Sequence, residues 1–122
     1  EAARHADLVL IPCRPGVLDL RAIATTIDSA RLAKTPAIGL INAAPPQGSL
    51  GDEATEAIKG YGIEVAPVRL GHRVAFVHAL TASQSVLEWE PNGKAAQEIR
   101  QLHDWLCQHA NMTTTKHDKV TA

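Results

Sequence analysis

Three short runs that are apolar at nearly every position constrain this chain more than any other feature. They are DLVLIP at residues 7–12, PAIGLIN at residues 36–42 and IEVAPV at residues 63–68. A strand with one wet face alternates apolar and polar residues; a strand covered on both faces does not, and such strands belong to parallel sheets packed between helices. The segments between and after these runs have helical spacing instead. Over residues 19–33 the apolar positions are Leu20, Ile23, Ala24, Ile27, Ala30 and Leu32, with Asp19 as the expected N-cap or first-turn acid. Ser49 is expected to cap a second helix that carries Asp52 and Glu53 in its first turn and stops at Gly60 and Gly62. A third helix over residues 73–82 carries Val74, Phe76, Val77 and Leu80. A last one over residues 94–109 presents Ala95, Ile99, Leu102 and Leu106, with Trp105 on its flank. The predicted order of strand, helix, strand, helix, strand, helix, helix describes an α/β domain with a parallel sheet and helices on both faces.

The 122 residues suffice for one domain. Aromatic residues are only 3% of the chain, so a core drawn from its 45% hydrophobic residues has to be built from Ala, Val, Ile and Leu. A formal net charge of −1 provides no overall field toward nucleic acid or anionic lipid, so any DNA contact requires a local patch. Cys13 and Cys107 form no CxxC pair, which suits a reducing compartment better than a disulfide scaffold. The opening EAARHAD reads as the last turn of a helix already under way, and three strands make a narrow sheet. Both features lead us to expect the later part of a larger α/β domain. Residues 1–110 are expected to form that part. Residues 111–122, polar and without periodicity, are expected to form a disordered tail.

In open parallel sheets ligands bind beyond the carboxyl ends of the strands, which here means residues 12–16, 42–48 and 67–73. Asn42 closes an otherwise apolar strand, and its amide offers a donor beside an acceptor, as the edge of a purine requires. Asn is also favoured at loop starts and in Asx-turns, and from the residue alone that reading is the commoner one. In APVRLGHR, Pro67 and Val68 supply apolar cover for a flat ring. Arg69 and Arg73 either meet phosphate or carboxylate, or pair with nearby acids in a solvated loop. His103 and Cys107 stand four apart on one helical face, a spacing that brings two metal ligands together, but no second pair accompanies them and no metal site is expected. Cys13 reads as a small buried hydrophobe and the acids at 52 and 53 as complements to a helix dipole. No GxxxxGK[ST] loop, GxGxxG motif or nucleophile elbow occurs, so no catalytic residue is assigned and nothing here is expected to cradle a triphosphate or hold Mg²⁺.

Taken together and in order, AARHADLVLIPCRPGVLDLRA, LINAAPP, GIEVAPVRLGHRVAFVHAL and EPNGKAAQEIRQLHDWL resemble the ParA/MinD-type partition ATPases, in particular the plasmid and chromosome partitioning ParA branch. The resemblance spans about residues 2–107. It implies a P-loop NTPase-like fold of the deviant Walker type, here without its N-terminal strands, its KGGxGKT phosphate loop and its DxPP strand end. Asn42 matches the family's Asn that contacts the adenine base, which favours the base-contact reading over the Asx-turn. Pro67 and Val68 match the segment lining the base pocket. Arg69 and Arg73 match a basic stretch whose role is open between nucleotide, dimer partner and DNA backbone. The resemblance implies ATP and Mg²⁺ as cofactors of the intact protein, with neither bound tightly by this part alone. It also implies an ATP-dependent homodimer, non-specific DNA, a ParB-like centromere-binding partner, and a cytoplasmic, nucleoid-associated location. The intact protein would hydrolyse ATP and drive partitioning; this portion is expected to be inactive. Gly16 stands where Ser is common in the family and Ser83 where Gly is usual. MinD-like membrane anchoring is disfavoured, since the tail has Lys116 and Lys119 but no apolar face. Two other readings remain: a small flavodoxin-like binding or interaction module, and another member of the same nucleotide-binding superfamily, such as an amidating synthase.

Overall fold

The computed structural model of the chain describes residues 2–16 and 20–121, with side chains for all of these except residue 20 and residues 110–121. A 3-10 turn, Ala2–His5, opens the described chain where a closing helical turn was expected. It is tied down by the Thr35 hydroxyl, which donates to the Ala3 carbonyl at 2.6 Å. The elements that follow are β1 (Val9–Cys13), α1 (Leu20–Leu32), β2 (Ala37–Ile41), α2 (Leu50–Lys59), β3 (Glu64–Val65), α3 (Val74–Thr81), α4 (Val86–Trp89) and α5 (Lys94–Thr121). The three strands form one parallel sheet in the order β1-β2-β3, with Val9 opposite Ala37, Cys13 opposite Ile41 and Gly39 opposite Val65. The α/β class and the parallel sheet agree with the pattern of apolar runs.

Alternation along the strands divides the core into two layers. Ile11, Cys13, Ile41 and Val65 pack with Ile23 and Ile27 of α1 and with Ala54 and Ile58 of α2. Ile38, Leu40 and Ala66 turn to the other face and meet Ile99, Leu102, Trp105 and Leu106 of α5. The apolar stripe read for α5 is therefore the one that packs. A third cluster, of Ala79, Val86 and Ala95 with Ala75 and Phe76 beside them, joins α3, α4 and α5 at one corner. β2 is central, and four of its five residues are buried; β1 has a neighbour on one side only among the described residues, and its Pro12 is exposed. Gly39 lets α2 approach the sheet: a Cβ there would stand 2.9 Å from Ile58 Cγ2.

Several expectations need correction. The third strand has two residues, not six: after Ala66, whose N–H donates to Gly39 O at 2.8 Å, the chain leaves β2, and Leu70 instead of Val68 donates to Ile41 O, at 3.0 Å. Leu32 is 87% exposed: it lies five positions after Ile27, about 140° around a helix of 3.6 residues per turn, and so faces away from the sheet. Ser49 takes the N-cap position of α2 in a helical conformation and makes no side-chain cap; its hydroxyl donates to Glu53 Oε1 at 2.8 Å instead. α4 was not anticipated, although SVLE at residues 85–88 carries the capping-box signature. Ser85 Oγ accepts the Glu88 N–H, and the Glu88 carboxylate accepts the Ser85 N–H. The helical backbone of α5 continues to Thr121, past the expected end near residue 109. The proposed cap at Asp19 lies outside the described residues.

Candidate functional site

The carboxyl ends of β2 and β3 are joined by a short hydrogen-bonded seam beyond the sheet itself. Leu70 N–H donates to Ile41 O at 3.0 Å, Ala44 N–H to Leu70 O at 2.9 Å, and His72 N–H to Ala44 O at 3.1 Å. Ala44 and Gly71 thereby pair as an isolated parallel bridge. On the other side, Asn42 N–H donates to Cys13 O at 2.9 Å. The loops after all three strands are thus held in one place, where the parallel-sheet rule puts a ligand.

A cleft of about 370 Å³ opens at this seam, lined by Arg14, Asn42, Ala43, Gly71, His72, Arg73, Phe76 and Val77. Its lining contains two arginines and a histidine and no carboxylate, so it favours an anionic ligand. Phe76 and Val77 add apolar surface. Asn42 stands at the rim, exposed. Its Oδ1 accepts the Ala43 N–H at 3.0 Å, while its amide nitrogen has no partner among the described residues, so a donor and a second lone pair remain for a ligand. Ala43 sits at φ +53°, a left-handed conformation uncommon for alanine. Residues in such conformations concentrate where function demands a particular chain path.

The four binding residues read from the sequence, Asn42, Pro67, Val68 and Arg69, do not converge. Asn42 lines the cleft, and so does Arg73. Pro67 is exposed at the end of β3, Val68 packs on the core layer beneath α5, and none of Pro67, Val68 and Arg69 lines the cleft. Arg69 turns to α2, where its Nη2 pairs with Asp52 Oδ1 at 2.7 Å and donates to Thr55 Oγ1 at 3.2 Å; its guanidinium lies where a Cβ on Gly51 would be. Asp52 thus has a partner beyond its own helix dipole. Arg14 and Phe76 were not read as site residues. Their contribution depends on how the loop after β1 and the first turn of α3 meet, which no local motif records.

Glu98 was missed as well, yet it left a signal. It falls on the apolar stripe of α5 between Ala95 and Leu102, where a carboxylate requires partners. It finds two: Oε2 accepts the Gly71 N–H at 2.9 Å, and Oε1 accepts from Arg73 Nε. The remaining sequence candidates are quieter. Cys13 is buried, its thiol donates to Ile11 O, and desolvation pushes its pKa above the ordinary 9.0. His103 and Cys107 are neighbours, with Sγ 3.5 Å from Nε2, but among the described residues no three His, Cys, Asp or Glu side chains form a group able to hold a metal. No helix among the described residues is long and apolar enough to cross a membrane.

No protein-family model matches the chain, and none of the curated proteins matches it. The functional reading therefore rests on the motifs and on the geometry of the cleft.

Proposed function

We propose that this chain is the C-terminal portion of a ParA-like ATPase and that its cleft is the base-recognition side of the nucleotide site. The observation that carries the reading is Asn42: a half-satisfied amide at the carboxyl end of the central strand, on the rim of a cationic cleft that also holds Phe76. An adenine edge presents a donor beside an acceptor, and the free donor and lone pair of Asn42 complement it. Phe76 offers the ring apolar cover, and Arg14 and Arg73 offer the anionic part of the ligand counter-charge. These groups fit the base end of a nucleotide. The phosphate cradle and the Mg²⁺ ligands would come from a phosphate loop that is no part of this sequence, with Arg14 and Arg73 adding counter-charge from the base side, and the outer edge of β1 would pair with further strands.

In the intact protein the proposed role is that of the partition ATPases. ATP held between two subunits drives dimerisation, the dimer binds DNA non-specifically, and a ParB-like partner stimulates hydrolysis in the nucleoid-containing cytoplasm. Such chemistry depends on positioning and on electrostatic stabilisation of the phosphates, so this chain alone is expected to bind nucleotide weakly and not to hydrolyse it.

The test is a titration of the isotope-labelled chain with millimolar AMP, followed by NMR. The amides of Asn42, Ala43, Gly71, His72 and Arg73 are expected to shift, with a preference for AMP over CMP that Asn42→Ala removes. Equal responses to AMP, CMP and ribose 5-phosphate overturn the base-recognition reading. Mutation-sensitive ATP turnover by the purified chain overturns the assignment of catalysis to an upstream segment.

A further inference from the structure

Glu98 belongs to α5 and is not among the residues that line the cleft. Its side chain is only 17% exposed, against 35% for Arg73. The two carboxylate oxygens are divided between two consecutive parts of the cleft wall: Oε2 takes the Gly71 N–H at 2.9 Å, and Oε1 takes Arg73 Nε. The Arg73 guanidinium lies flat on Gly71, whose missing side chain makes this possible. A Cβ at Gly71 would stand 3.0 Å from Nε and 3.1 Å from Cζ and Nη2.

We infer that Glu98 is the positioning residue of the nucleotide site: it holds Arg73 by Nε and leaves the two terminal nitrogens of the guanidinium for the anionic part of the ligand. The inference deepens the nucleotide reading and rests on it for the identity of the ligand. Arginine recognises phosphate through a planar fork of N–H donors, and a fork already anchored at one corner loses less freedom when it binds. The wall is set from α5, so the helix that covers the far face of the sheet also determines the geometry of the cleft. An opposing effect has to be weighed. The Glu98 charge weakens the positive field of the cleft, so its removal favours anions through the field and disfavours them through loss of position. The carboxylate is engaged on both oxygens and the cleft is open to screening water, so position dominates.

The experiment uses the full chain, with AMP, adenosine and pyrophosphate as probes and NMR shifts at Gly71 to Arg73 as the readout. Glu98→Gln leaves one acceptor where two are needed. It is expected to weaken AMP and pyrophosphate about tenfold, as for loss of a charge-assisted hydrogen bond, and to leave adenosine unchanged. In an Arg73→Gln background, Glu98→Gln is expected to add nothing. Gly71→Ala keeps the carboxylate but displaces the guanidinium, and is expected to reproduce the anion-selective loss; it serves as the second variant should Glu98→Gln fold poorly. Tighter AMP binding in Glu98→Gln, equal losses for AMP and adenosine, or additive losses with Arg73→Gln each overturn the role. If the wild-type chain ignores AMP and adenosine, the base-recognition reading fails. Pyrophosphate then decides on Glu98 alone: a Glu98-dependent response keeps the positioning role, and a response independent of Glu98, or none, ends it.

Discussion

The two helices beneath the sheet and α3 at its corner use similar residues to opposite effect. On α1 and α2, Ile27 and Ile58 are 1% and 0% exposed. On α3, which is apolar at nearly every position, Val74, Val77 and Leu80 remain largely in water while Ala75, Phe76 and Ala79 pack inward. Amphipathic helices carry their burial instructions in the sequence, because only one stripe is apolar. A helix that is apolar all round carries no such instruction, and its neighbours choose the face. Here α4 and α5 take the face of Ala75, Phe76 and Ala79, and the branched residues are left out.

This contrast can be broken most forcefully at the sheet. Ile27→Ala and Ile58→Ala each remove a fully buried side chain from a packed layer and are expected to cost about 2–5 kcal/mol in denaturant unfolding. Val77→Ala on α3 is expected to stay within about 0.5 kcal/mol. A comparable loss at Val77 would mean that α3 is buried in solution. Gly39→Ala sharpens the same point from the other side. Its Cβ would meet Ile58 Cγ2 at 2.9 Å, and a loss of about 1–3 kcal/mol is expected.

Next in size is Ser83, which follows α3 at φ +58°, with its N–H on Leu80 O and the Gln84 N–H on Ala79 O. Gly has no Cβ penalty there, and Ser83→Gly is expected to raise stability by up to about 1 kcal/mol. This is the position where the ParA resemblance led us to expect Gly. Cys13 tests the sheet side chemically. Burial raises its pKa, so the native state keeps the thiol protonated at a pH where an unfolded thiol ionises. Its contribution to stability is therefore full below pH 9.0 and declines as pH rises through and beyond that value. A thiol reagent is expected to label Cys107 at once and Cys13 only on unfolding; rapid native labelling of both would contradict the packing of β1. The smallest effect is expected at Leu80→Lys, close to neutral for stability but reducing concentration-dependent association measured by light scattering.

Much of the architecture was legible because its signals are local. The two-faced apolar runs marked all three strands, and the stripes of α1 and α5 marked their packing sides. Misreadings came where a local signal met a tertiary condition. The third run looked six residues long, but the chain leaves β2 after Ala66 and meets it again only at Leu70. Ser49 had the composition of a cap, but its hydroxyl found Glu53 closer. For the cleft, Asn42 was legible from its place at a strand end. Arg69 was read as the binding arginine, but Arg73, four residues on in the same loop with equal charge, is the one that lines the cleft.

The sequence by itself determined the class of fold, the order of the strands and the longer helices, and the strand end at which a ligand is to be sought, since these depend on the periodicity and chemistry of neighbouring residues. Only the tertiary structure decided which side chains share that place. Parallel pairing and the Ala44–Gly71 seam bring loops nearly 30 residues apart into register, turning Arg69 toward Asp52 and Arg73 toward Glu98. Which arginine faces the cleft depends on which carboxylate is within reach across space, and linear spacing does not encode that distance.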